Sequence, residues 1–268
     1  MFAYALIHFG SNIKYLEYEI YTIMMLKKIS KYDIIYLYSC VDTPKSFVKV
    51  IKKLNVKTKS FDDSVIINAS KSYKSVYSHF NTLRTCCFIY ANLLTKYKKV
   101  CIIESDIIFY DGFDSIFKLK TPSASLYNEQ FKRENLLKVC KTGSPANGGV
   151  ILLTPNKNIL KDFHRNFNII LSNNCIYPNE ILFVMLYDKI YNLPNEYNWR
   201  KFGNKSKIIY GHHFDTTIYK PVDIIKDNYI RKIKSKIEKQ SIIYFKTKFY
   251  DKYNVLITQV LNKVLKFI

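Results

Sequence analysis

Ala3 to Phe9 is a short apolar run, and after Gly10-Ser11-Asn12 the apolar positions Leu16, Ile20, Ile23, Met24 and Leu26 recur at helical spacing. The pattern predicts strand, loop, helix. Asp33 to Tyr38 predicts a second strand, and Phe47 to Leu54, after Pro44, a short amphipathic helix. A β-α-β-α start of this kind favours an α/β fold with a mostly parallel sheet. Ser78 to Thr95 is long, rich in large apolar residues and closed by the basic Lys96-Tyr97-Lys98-Lys99, which predicts a buried helix with a positive last turn. Val100 to Ile103 follows as a buried strand. Ser123 to Tyr127 and Gly149 to Leu153 predict further strands, separated by a polar excursion around Lys132 to Lys141. Asn156 to Leu171 and Asn179 to Lys189 fit amphipathic helices, and Ile208 to Tyr210 a last short strand.

Composition narrows the class. The 268 residues are 48% hydrophobic and 24% charged, which suits a globular chain with a substantial core and disfavours disorder. The expected division is a main domain over 1–225 and a basic, helical extension over 226–268, where the pattern turns Lys-rich and free of Gly and Pro. Forty-two Lys and Arg against twenty-one Asp and Glu leave +21, a field that attracts nucleotides, nucleic acid or anionic membrane. The abundance of Lys, Ile, Asn and Tyr also fits an A/T-rich coding bias. No apolar run reaches the ~18–20 residues of a membrane span, and the apolar start lacks a basic leader. Six cysteines without C-x-x-C spacing disfavour structural zinc and a disulfide framework, so the expected location is the reducing cytoplasm.

The densest chemistry lies in Lys98-Lys99-Val100-Cys101-Ile102-Ile103-Glu104-Ser105-Asp106. A buried strand runs into two carboxylates. In an extended chain Glu104 and Asp106 project to one side and Ser105 to the other. Two like charges beside apolar surface are costly unless a cation neutralises them, and a hard divalent ion with oxygen ligands would do so. A solvated acidic turn is the structural alternative. The end of a strand is also where open α/β sheets hold ligands.

These residues do not stand alone. Leu94-Thr95-Lys96-Tyr97-Lys98-Lys99-Val100 through Asp106 is followed by Phe113-Asp114-Ser115-Ile116-Phe117, Ala146-Asn147-Gly148-Gly149-Val150, Leu193-Pro194-Asn195-Glu196-Tyr197-Asn198 and His213-Phe214 with Lys220-Pro221. In this order they resemble the motifs of family 8 glycosyltransferases, the glycogenin and galactinol-synthase-like group with its viral branch, over about Phe2 to Pro221. The resemblance implies a GT-A, Rossmann-like fold with a mixed, mostly parallel sheet flanked by helices. It implies retaining transfer of a hexose, glucose or galactose first among them, from a UDP-sugar to a glycan, protein or small-molecule hydroxyl, with Mn²⁺ or Mg²⁺.

By position, the resemblance makes Glu104, Asp106 and His213 metal ligands, a donor set that suits a first-row divalent ion. His212 and His213 are adjacent, and His213-Phe214 keeps the motif. Leu6, Ile7, His8 and Tyr15 fall where the family holds uracil and ribose, Ser105 sits between the ligands, and Arg84 and Lys220 offer charge to the diphosphate. Asn147, Gly148 and Gly149 combine an amide with backbone that a sugar can approach closely. Asn179 and Glu180 stand where the family has Asp-Gln near the reacting carbon. Three departures mark this chain: Glu104 for the first aspartate, Asn179-Glu180, and Val222 after Lys220-Pro221 where a Trp is usual. Against the transferase stand a degenerate transferase that binds donor without turnover and a basic nucleic-acid or anionic-surface binder. Lysines spread along the chain rather than gathered into a motif disfavour nucleic acid. The apolar stripe of Tyr229, Ile230, Ile233, Ile237 and Ile242 in the basic extension suits binding to an anionic membrane surface, a homodimer contact, or simple packing on the domain.

Overall fold

The computed structural model describes residues 1–62, 64, 89–126, 146–172, 178–200 and 208–213. Arg84, Lys220, the excursion at 132–141 and the extension 226–268 lie outside them. So does most of the helix expected over 78–95, of which 89–92 is helical.

The chain runs β1 (Phe2–His8), α1 (Ile13–Ile29), β2 (Asp33–Ser39), α2 (Lys45–Lys53), β3 (Lys57–Phe61), β4 (Lys99–Ile103), β5 (Ile107–Phe109), β6 (Ser123–Leu126), β7 (Ala146–Leu153), α3 (Phe163–Ser172), α4 (Pro178–Leu186), β8 (Tyr191–Asn192) and β9 (Gly211–His213). Seven strands form one sheet in the order β3-β2-β1-β4-β7-β6-β8. The pairs β3–β2, β2–β1, β1–β4 and β6–β8 are parallel, while β4–β7 and β7–β6 are antiparallel. β5 and β9 make a small antiparallel sheet.

Strand alternation divides the core into two layers. Tyr4 and Leu6, Ile34 and Tyr36, Cys101 and Ile103, and Val150 and Leu152 pack on the α1 and α2 side. Ala3 and Ala5, Ile35 and Leu37, Val100 and Ile102, and Ile151 and Leu153 face the α3 and α4 side. With both faces covered, the central strands are apolar at nearly every position. That is why their sequences read as continuous runs. No helix among the described residues is long and apolar enough to cross a membrane.

Three expectations shift in the structure. The strand expected at Ile208–Tyr210 lies instead at Gly211–His213, with Ile208 exposed. A Cβ on Gly211 would sit 2.4 Å from the Tyr197 carbonyl, so this glycine starts the strand because the backbones meet there. The helix expected from Asn156 begins as a 3-10 turn over Lys157–Asp162 and becomes α-helical at Phe163. β3, β5 and β8 are additional to the strands read from the sequence.

The topology creates a crevice. The chain steps outward from β1 to β2 and β3, then returns to the other side of β1 with β4. The switch point therefore lies between the carboxyl ends of β1 and β4, where doubly wound sheets place their ligands. Pairing of β1 with β4 ends at Ala5↔Ile102, and Leu6, Ile7 and His8 continue past it beside β2.

Candidate metal and donor site

β4 ends at Ile103, and Glu104, Ser105 and Asp106 form the turn into β5. The two carboxylates thus converge through a turn, not through the alternation of an extended strand. Glu104 N donates to Gly149 O at 3.0 Å, and Ser105 O accepts from Thr22 Oγ1 of α1 at 3.0 Å. These bonds tie both ends of the turn to the core.

β9 delivers the third member. Its backbone is fixed by Trp199 N donating to Gly211 O and His213 N donating to Trp199 O, each at 2.8 Å. Alternation sends His213 inward and His212 against the Trp199 ring, with centroids 4.6 Å apart. His213 Nε2 lies 3.2 Å from Glu104 Oε2 and 3.3 Å from Asp106 Oδ1. One ligand atom from each of the three residues falls within 4.8 Å of the others. Burial works to lower the His213 pKa, but the Asp106 and Glu104 carboxylates prevail and hold it up at about 10.

The donor set fits a divalent cation. Buried Nε2 makes no aligned hydrogen bond among the described residues although two carboxylates stand beside it. Two carboxylates and an imidazole converging on one point suit a first-row ion or magnesium.

Next to this cluster the β6–β7 register jumps from Ala124↔Ile151 to Ser125↔Asn147, so residues 148–150 bulge from that ladder. A Cβ on Gly148 would lie 2.9 Å from Asn179 Nδ2 and 3.4 Å from Glu104 Oε1; one on Gly149 would lie 2.3 Å from His213 Cε1. The pair is thus packed against site side chains. Glu180, near the start of α4, accepts from Gly148 N at 3.1 Å. Asn179 is buried, and its Oδ1 has no hydrogen-bond partner among the described residues.

From its sequence, the Asn147 amide is expected to be open to a sugar. In the structure its Oδ1 already accepts from Gly149 N at 3.0 Å and from Asn198 Nδ2 at 2.8 Å. Asn198 also bonds Ser125 Oγ and His213 Nδ1. Local sequence marks neither Ser125 nor Asn198 as a partner of the histidine: Asn198 stands in the Leu193–Asn198 motif with no charge to single it out, and nothing in the Ser123–Leu126 pattern distinguishes Ser125.

The structure brings Glu104, Ser105, Asp106, Asn147, Gly148, Gly149, Asn179, Glu180 and His213 to one locality. Leu6, Ile7 and His8 sit at the end of β1 on the neighbouring side of the crevice. Leu6 is core, Ile7 packs in the other layer, and His8 is committed to Glu19 and the Gly10 carbonyl. Tyr15, near the start of α1, is 38% exposed and edge-on to Tyr18.

No known family model matches the chain. In sequence it is 22% identical over 270 residues to the uncharacterized protein R707 of Acanthamoeba polyphaga mimivirus, covering 91% of each. In structure it is similar to the galactosyltransferase LgtC in complex with donor and acceptor sugar analogs, with a TM-score of 0.64 and 10% identity over 98% of this chain and 96% of that one. It is also similar to the glycosyltransferase GlyE of Streptococcus pneumoniae TIGR4, with a TM-score of 0.55 and 13% identity over 91% of this chain and 66% of that one. These neighbours are glycosyltransferases, and the architecture is the α/β GT-A fold.

Proposed function

We propose that this chain is a metal-dependent, retaining glycosyltransferase of the family 8 type that moves a hexose from a UDP-sugar to an acceptor hydroxyl. The observation that carries the reading is the meeting of Glu104, Asp106 and His213, from the β4–β5 turn and β9, at the crevice beside β4. LgtC, with the same fold, has been seen with donor and acceptor sugar analogs.

Glu104, Asp106 and His213 would hold Mn²⁺ or Mg²⁺. The cation, when bound, supplies Lewis acidity to the departing diphosphate. The chain does the rest. Leu6, Ile7 and His8 present backbone at the end of β1 for the uracil edge, and Tyr15 offers a ring to stack on it. Ser105 keeps the two carboxylates in one turn. Arg84 and Lys220 add positive charge for the diphosphate. Asn147, Gly148 and Gly149 form the floor beneath the sugar. Asn179 Oδ1 accepts from a sugar hydroxyl, which satisfies a buried oxygen that has no partner among the described residues. Glu180, oriented by the Gly148 N–H, steadies positive charge developing at the anomeric carbon. The acceptor hydroxyl attacks from the face that UDP leaves and gives its proton to the departing diphosphate oxygen, so the anomeric configuration is retained.

Calorimetric titration of UDP with and without Mn²⁺, on wild type and Asp106→Asn, tests the assignment. Binding that needs Mn²⁺ and disappears in the variant is expected, with proton NMR of donor turnover giving the retained anomer. UDP binding that ignores both the metal and the substitution would overturn it.

A further inference from the structure

The hydrogen-bond chain behind His213 fixes the identity of each atom in turn. Gly149 N–H is a backbone donor, so the Asn147 atom 3.0 Å away is the acceptor Oδ1. That oxygen lies 2.8 Å from Asn198, whose facing atom is therefore the donor Nδ2. The same Nδ2 donates to Ser125 Oγ at 3.2 Å. The remaining end of the amide, Oδ1, faces His213 Nδ1 at 2.9 Å. An amide oxygen only accepts, so Nδ1 carries a hydrogen. Nε2 is left as the ring atom directed at Glu104 and Asp106.

We infer that Asn198 is a positioning residue for the cation: it locks the His213 imidazole in the Nδ1–H tautomer, makes Nε2 the ligating atom, and thereby sets metal affinity. The inference rests on the metal reading above and adds a residue that touches neither cation nor substrate. Metal-bound histidines generally donate their second N–H to such a partner, which fixes the ring and raises its basicity. Here the orientation traces back through Asn147 to one backbone amide, so the tautomer is set by the bulge in β7 and not by solvent. All the polar groups concerned are buried: Ser125, Asn147, Asn198 and His213 are each less than a tenth exposed.

The test uses the full chain. Free Mn²⁺ counted by electron paramagnetic resonance gives the dissociation constant for wild type, Asn198→Leu and Asn198→Asp. The leucine removes the acceptor facing Nδ1, and metal affinity should fall about 10- to 100-fold. The aspartate keeps an oxygen against Nδ1 but turns its second oxygen toward Asn147 Oδ1, an acceptor already held by Gly149 N–H, so it should recover the affinity only in part. In parallel, long-range nitrogen–proton NMR of the wild type loaded with diamagnetic Zn²⁺ should show His213 protonated at Nδ1 and metal-bound at Nε2. That spectrum decides the matter even if Asn198→Leu fails to fold. Metal on Nδ1, or Mn²⁺ affinity unchanged in a folded Asn198→Leu, would overturn this inference alone. A wild type that bound no Mn²⁺ would overturn the metal reading together with it.

Discussion

Gly148 and Gly149 differ in what a methyl group would strike. At Gly149 it would lie 2.3 Å from His213 Cε1 and 2.4 Å from Nδ1, inside a ring that Asn198 already holds in place. At Gly148 it would lie 2.9 Å from Asn179 Nδ2, the tip of a side chain. Gly149→Ala should therefore displace the imidazole, costing about 1–3 kcal/mol of stability and more than about tenfold in Mn²⁺ affinity. Gly148→Ala should do less on both counts, and equal losses in paired melts and metal titrations would contradict this packing. His8 gives a second residue-level expectation. Its Nδ1 lies 2.9 and 2.8 Å from the two Glu19 oxygens, and Nε2 lies 2.9 Å from the Gly10 carbonyl, so both nitrogens face acceptors. Burial alone would lower its pKa; the charge and hydrogen bonds of Glu19 override that, helped by the Gly10 carbonyl and Asp42, and raise it above 6.5. A raised folded pKa stabilises fully below the unfolded value and less as pH climbs through the folded one. The denaturation midpoint of wild type should thus decline above about pH 6.5, while His8→Gln stays flatter over the same interval. Parallel curves would show that other groups set the slope. This pairing is not legible in the sequence, because Glu19 lies eleven residues on, in α1, and reaches His8 only when the helix folds back on the strand.

Elements were legible where burial on both faces left continuous apolar runs, as in β1, β2, β4 and β7, and less so at the edges. β3 reads Lys57-Thr58-Lys59-Ser60-Phe61, with lysines on an edge strand and Phe61 buried at its end. Charges there protect an open edge, which is also why apolar pattern does not reveal it. The nearness of Glu104 and Asp106 is legible in their spacing, but the turn over 104–106 that brings them together and the arrival of His213 from β9 depend on pairing between β5 and β9, across a long stretch of chain. Local pattern carries no signal for such a contact. α1 shows the opposite case, since Gly10-Ser11-Asn12 before a helical stripe announces its start. Asn12 Oδ1 accepts from Lys14 N at 3.0 Å, so Asn12→Ala should destabilise the chain by about 0.5–2 kcal/mol, with Asn12→Ser close to wild type in urea denaturation. An unchanged midpoint in the alanine variant would mean that burial of Leu16, Ile20, Ile23 and Leu26 alone holds the helix.

Across the whole molecule two electrostatic scales oppose each other. The net charge of +21 draws anions from a distance, while Glu104 and Asp106 would repel a diphosphate at contact. Under the proposed function, a cation between those carboxylates would convert the local repulsion into attraction, so the long-range field and the site would become cooperative only with the metal bound. Salt acts differently on the two scales, because screening over roughly 10 Å at 0.1 M removes steering while a partly buried contact is shielded much less. With Mn²⁺ present, the stopped-flow association rate of UDP should therefore fall several-fold from ~0.05 to ~0.5 M salt, with a smaller change in the dissociation rate. Without Mn²⁺ no amount of low-salt steering should yield a stable complex. An association rate indifferent to salt would mean that the basic surplus lies away from the β1–β4 crevice and serves another surface. A metal-free complex that tightened steadily as salt was removed would mean that lysines, and not the carboxylate cluster, hold the nucleotide.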